Sequence, residues 1–105
     1  MSPRRRHADI VQIGDAGTLD IFNGNDSAEA RRRLPSELHA KAAGLLGRLN
    51  AATTPNDLRT PIGNRLEKLG GNRKAQWSLR INDQYRICFT WAEGEPQNVE
   101  IVDYH

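Results

Sequence analysis

The sequence predicts an α+β fold in which N-terminal helices lie on one face of a curved, mainly antiparallel sheet of about four to five strands. Three observations lead there. Apolar residues recur at helical spacing as far as Ala52 and at every second position from Arg65 onward. The order is helices first and then a meander of strands, the pattern of helices gathered on one side of an antiparallel sheet. The length, 105 residues, accommodates one domain, which buries roughly 65% of its unfolded surface.

Met1 to Asp9 carries a proline and three consecutive arginines without an apolar period and reads as a basic N-terminal tail ahead of one domain over 10–105. Ile10 to Ile13 alternates as a short strand does, and Gly14-Asp15 ends it. Thr18 to Phe22 forms a short helix that stops at Asn23-Gly24, and Ser27 caps a basic helix through Arg33. Pro35 then occupies the first turn of a longer helix whose stripe is Leu38, Ala42, Leu45, Leu46, Leu49 and Ala52. Thr54-Pro55-Asn56-Asp57 opens a brief helical turn or loop. Four strands come next, Arg65 to Leu69, Gln76 to Ile81, Tyr85 to Trp91 and Val99 to Val102, the last preceded by a loop over Glu93 to Gln97.

Fifteen basic residues against thirteen acidic ones leave a net charge of only +2. All the basic residues except Lys41, Lys68 and Lys74 are arginine. Arginine offers a flat fork of donors that matches phosphate and stays charged, so the bias suits phosphate or carboxylate recognition. The codon usage of a high-GC genome accounts for it equally well. The lone Cys88 lies in an alternating apolar run and reads as a small buried hydrophobe, outside any bridge or zinc site. His7 and His39 have no partners at metal-ligand spacing and read as surface residues. No apolar run reaches the ~20 residues needed to cross a bilayer, and no signal-peptide core follows the N-terminal arginines, which points to the cytoplasm and away from membranes.

Alternation fixes faces on the two central strands. Trp77, Leu79 and Ile81 point one way and Ser78 and Arg80 the other; Tyr85, Ile87, Phe89 and Trp91 oppose Arg86, Cys88 and Thr90. The aromatic residues at core parity are better explained by packing than by base stacking. Both apolar sides share one face of the sheet only if the loop is the three residues Asn82-Asp83-Gln84, which sets Arg80 directly across from Arg86. Like charges in that position destabilise a sheet. Either a carboxylate such as Asp103 or Glu100 compensates, or a bound phosphate does.

The chain closes with an apolar strand running into Asp103, Tyr104 and His105. Cleaving RNA through its 2′-hydroxyl needs a base, an acid for the 5′-oxygen and cations for the phosphorane, which a histidine and arginines supply. A lone terminal histidine is otherwise an exposed bystander.

Two stretches, Gly63 to Lys74 (GNRLEKLGGNRK) and Gln76 to Phe89 (QWSLRINDQYRICF), resemble the core signature of HigB-type plasmid-maintenance killer proteins of the RelE/ParE superfamily. Val99 to His105 (VEIVDYH) resembles that family's C-terminus. The likeness runs from about Ile10 to His105 and is looser in the helical half. It implies a RelE-like fold, two helices on an antiparallel sheet, and ribosome-dependent cleavage of mRNA with no metal or organic cofactor. It implies a HigA-type helix-turn-helix antitoxin as partner, and operator DNA bound through the toxin–antitoxin complex. Arg86 and His105 match residues implicated in family catalysis, Tyr104 and Asp103 the adjoining site residues, and Arg73 with Lys74 a basic position bordering it. Arg80 is assigned to RNA binding by the hairpin register more than by the resemblance.

Two positions depart from the family pattern, since many HigB toxins have a histidine where this chain has Glu67 and a lysine where it has Gly70. Slower cleavage, greater reliance on ribosomal groups, and Glu67 acting as base are the open consequences. A noncatalytic RNA- or ribosome-binding inhibitor and a co-repressor subunit acting only with its antitoxin are the competing functions.

Overall fold

The computed structural model describes residues 13–59, 65–70 and 75–103. The basic tail, most of the Ile10 to Ile13 segment, and Arg73, Lys74, Tyr104 and His105 lie outside them.

Helix α1 (Ala16–Asn23) starts where the Asp15 carboxylate accepts from the Thr18 N–H at 2.7 Å. It stops at Gly24, whose φ of 80° is the left-handed conformation that glycine adopts without a steric penalty. Helix α2 (Ala28–Arg33) is capped by Ser27, whose hydroxyl accepts from the Ala30 N–H at 3.0 Å. Three arginines fill its last turn, where the helix dipole is negative. The half-buried His39 ring lies 2.8 Å from the Leu34 carbonyl just beyond that end.

Pro35 lies just before a 3-10 turn (Ser36–Leu38) that runs into α3 (His39–Ala51), rather than inside the long helix. Its ψ of 142° is extended, so the tight turn begins only after it. Along α3, Ala42, Leu45, Leu46 and Leu49 are buried. A second 3-10 turn (Pro55–Leu58) opens at Thr54, where the Asp57 side chain accepts from the N–H groups of Thr53 and Thr54.

The sheet is an antiparallel meander in the order β1 (Glu67–Lys68), β2 (Gln76–Arg80), β3 (Tyr85–Ala92) and β4 (Glu95–Asp103). Ile13 adds a parallel bridge to Val99 beyond β4. The strand β1 is shorter than its alternation suggests because Arg65 turns to a φ of 49°, outside extended geometry. Conversely, β4 starts at Glu95 and not at Val99. Glu93 and Gly94, with φ of 56° and 80°, make a two-residue turn of the kind that closes hairpins, so no long loop is needed.

A bulge at Asn98, φ 54°, then inserts one residue into β4 opposite β3. It resets the alternation so that Pro96 and Val99, three apart, are both buried.

The core lies between the helices and one sheet face. Ile21, Leu34, Leu45, Leu46 and Leu49 pack with Leu79, Ile81, Ile87, Phe89, Val99 and Ile101, while Trp77, Tyr85 and Trp91 cover its margin. Phe89 and Trp91 meet edge to face at 6.4 Å. At least a dozen such side chains at ~1.5–3 kcal/mol each make this burial the main force holding the helices to the sheet.

Two polar side chains tie the helices to the edge of the sheet. The buried Thr18 hydroxyl accepts from the Ile101 N–H at 3.3 Å, and Arg33 Nη1 donates to the Ile101 carbonyl at 3.1 Å. Side chains from α1 and α2 thus satisfy the outward backbone groups of an edge strand at Ile101 and hold β4 in place there.

Candidate functional site

The β2–β3 hairpin has the three-residue loop and the register that alternation requires. Trp77 pairs with Phe89, Leu79 with Ile87 and Arg80 with Arg86. The Asn82 side chain closes the loop by accepting from the N–H groups of Gln84 and Tyr85, at 2.9 and 2.8 Å.

Two arginines therefore stand opposite each other on the sheet face away from the helices. Each meets a carboxylate. Arg86 Nη1 lies 3.1 Å from Glu67 Oε1 and donates at the same distance to Ser78 Oγ. Arg80 pairs with Asp83 at the hairpin tip. The register explains Glu67: its Cα partner on β2 is Ser78, which in turn pairs with Cys88, so Glu67 shares the face of Arg86. Ser78 and Cys88 are fully buried beneath this layer. Only 15% of the Arg86 side chain is exposed.

Of the two carboxylates proposed from sequence to meet the arginines, Asp103 is in register with Tyr85, on the core-side parity, and accepts from Gln84 Nε2 at 3.1 Å. Glu100 pairs with Cys88, on the arginine side. Val102 is the Cα partner of Arg86, so the last described residues of the chain run beside the guanidinium layer.

Next to the Arg86–Glu67 pair is an open hollow of about 510 Å³, lined by Arg59, Arg65, Leu66 and Glu67. Sequence reasoning did not single out Arg59, Arg65 as a charge-bearing residue, Ser78 or Asp83 for a site. Only Ser78 carried a signal, its parity with Arg80. Of the site residues inferred from sequence, Arg86, Arg80 and Asp103 are described; Arg73, Lys74, Tyr104 and His105 are not. Among the described residues no cluster of histidine, cysteine and acidic side chains is arranged to hold a metal. Cys88 is buried and unbridged.

The arrangement sets two guanidinium forks side by side, each next to a carboxylate, with a buried hydroxyl bonded to Arg86, and such forks match the oxyanions of phosphate or carboxylate. Comparison with known sequences identifies the family. A family model described as a RelE-like toxin of the type II toxin-antitoxin system HigB matches residues 15–105. This chain belongs to the HigB-like toxin family. It is 43% identical over 80 residues to Toxin HigB-1 of Vibrio cholerae serotype O1, an alignment covering 76% of this chain and 82% of the relative. An uncharacterized protein of Haemophilus influenzae is 32% identical over 71 residues, 68% of this chain and 70% of that one.

As a HigB-like toxin, the protein is the toxin half of a type II toxin-antitoxin pair, and an antitoxin is its implied partner. The helices and antiparallel sheet agree with the RelE-like architecture that the resemblance led us to expect. Among the described residues no helix is long and apolar enough to span a membrane.

Proposed function

We propose that this toxin stops translation by cutting mRNA on the ribosome through the 2′-hydroxyl. The observation that supports this best is the direct opposition of Arg80 and Arg86 on the sheet face away from the helices, two like charges each met by a carboxylate that is itself open to solvent. In this reading Arg86 and Arg80 neutralise the charge that builds on the phosphorane. His105 serves as acid or base, with Tyr104 and Asp103 adjoining it, and Arg73 and Lys74 guide the RNA. Chain connectivity keeps His105 within reach of Arg86. It lies three residues after Val102, the pairing partner of Arg86, and three extended residues span at most ~10 Å.

The reading extends to a cytoplasmic protein whose residues 10–105 form one domain behind a basic tail. Its partner is a HigA-type helix-turn-helix antitoxin, and it reaches operator DNA through that complex. A noncatalytic RNA-binding inhibitor has one observation in its favour: Glu67, at a position where many family members carry a histidine, is engaged with Arg86.

The test is expression of the toxin without its antitoxin, with growth and primer extension on cellular mRNA as readouts. Growth arrest with discrete mRNA cuts, both lost in His105→Ala and Arg86→Ala, is the expected result. Arrest that survives His105→Ala without cuts moves the assignment to simple binding, and no arrest at all moves it to a co-repressor.

A further inference from the structure

We propose that the hollow lined by Arg59, Arg65, Leu66 and Glu67 is a nucleotide subsite. It takes the RNA residue adjoining the one at Arg86 and holds that residue's phosphate between Arg59 and Arg65. The inference rests on the RNA-cleaving reading and adds to it a second place where the substrate is gripped.

Charge is the first ground. Glu67 is the one acidic residue among the described residues of the lining, and Arg86 already meets it at 3.1 Å. With Arg59 and Arg65 the described lining carries two positive charges against this one negative charge, so it stays net positive even when a phosphate takes the place of Glu67 at Arg86. Neither forms an ion pair among the described residues. Arg59 uses Nε to donate to Asn56 Oδ1 at 2.5 Å. That bond orients its guanidinium without neutralising it, and leaves the two Nη groups for a ligand.

Shape and position are the second ground. Leu66 is nearly buried and gives the hollow an apolar floor against which a ribose or base can lie. The hollow is open to solvent, and its volume of about 510 Å³ leaves room for a nucleotide laid across the surface. Through Glu67 the hollow adjoins Arg86, so a chain laid across the hairpin meets both. Arg65 holds a φ of 49°, uncommon for a residue with a side chain, at the point where the backbone enters β1.

The test uses the full-length toxin purified free of antitoxin. The probe is a fluorescein-labelled 2′-O-methyl hexaribonucleotide, which binds but cannot be cut, followed by anisotropy across a salt series. The variant is Arg59→Gln with Arg65→Gln. Arg48→Gln, on the exposed face of α3, is the control for loss of charge alone, and melting temperatures check that every chain is folded. We expect the double variant to bind about tenfold more weakly, with a slope of log affinity against log salt shallower by about 0.7, one single-strand phosphate.

Unchanged affinity, or weaker binding with an unchanged slope, overturns the subsite. So does an equal loss in the Arg48→Gln control. Arg86→Ala is run alongside: if it weakens binding while the double variant does not, the subsite falls and the RNA reading stands. If the unaltered toxin fails to bind the probe at all, the subsite falls, while the ribosome-dependent reading stands or falls with the primer-extension assay.

Discussion

Arg86 Nη1 and Glu67 Oε1 are 3.1 Å apart across the intervening strand β2, with Ser78 Oγ bonded to the same nitrogen. Nearly half of the Glu67 side chain is exposed while only 15% of Arg86 is, so water reaches and screens the pair from the carboxylate side. From that same side a phosphate can exchange with the carboxylate and keep the guanidinium paired. We therefore expect Glu67 to hold the guanidinium fork in place until substrate arrives rather than to act as the base. Glu67→Gln keeps the hydrogen bond and removes the charge. The expected outcome is RNA affinity higher by roughly fivefold, from ~1 kcal/mol of relieved attraction, with the single-turnover cleavage rate nearly unchanged. A rate drop of about a hundredfold, the size of a lost general base, would assign the proton transfer to Glu67 instead.

The Arg80–Arg86 opposition separates function from stability. Opposed like charges destabilise a strand pair by roughly 0.2–1 kcal/mol. The Arg80–Asp83 contact offsets little of this, since the Asp83 side chain is 96% exposed. Arg80→Ala is therefore expected to leave urea stability unchanged or raise it by up to ~0.5 kcal/mol while weakening RNA binding. A loss of stability above ~1.5 kcal/mol in the same urea titration would show that Arg80 serves the fold.

How far these features could be read from sequence depends on the range of the interactions behind them. The hairpin register was legible because the parity of Trp77 and Leu79 against Ile87 and Phe89 admits one loop length, and Arg80 then has no choice but to face Arg86. The helix ends were legible because Ser27 and Gly24 act on their own neighbours. Two features were not. The bulge at Asn98 changes the alternation within β4, which hid the strand's first residues behind an apparent loop. The Glu67–Arg86 contact depends on which residue of β2 faces Glu67. Local pattern fixes the face of a two-residue strand and says nothing of its partner.

Asp57 gives a pH-dependent test. Its carboxylate accepts from the Thr53 backbone N–H, the Thr53 hydroxyl and the Thr54 N–H, and these bonds hold its pKa below the ordinary 3.8. The folded value is depressed, so the stabilisation is fully present above the unfolded value and disappears as pH falls through the folded one. Thermal melts of the toxin and of Asp57→Ala are expected to differ by a constant gap at neutral pH that narrows below about pH 4 and closes in stronger acid. A gap that stays constant down to pH 2 would show that the charge on Asp57 contributes nothing.

Two glycines test the helix packing that holds β4. A Cβ on Gly17 would lie 2.7 Å from the Glu29 carbonyl oxygen and 2.9 Å from Arg33 Cβ, so α1 and α2 can approach this closely only without one. Gly17→Ala should cost ~1–3 kcal/mol by overpacking. Gly44 lies in α3, exposed, with nothing within 4 Å of a Cβ, so Gly44→Ala should stabilise by ~0.4–1 kcal/mol. Urea titrations with matched m-values measure both. The two substitutions differ further in function. Spreading α1 from α2 pulls Thr18 and Arg33 away from Ile101, so Gly17→Ala should also slow cleavage by loosening β4 beside Arg86, while Gly44→Ala leaves cleavage as it is. Equal effects of the two on cleavage would mean that the α1–α2 junction does not position the C-terminal residues.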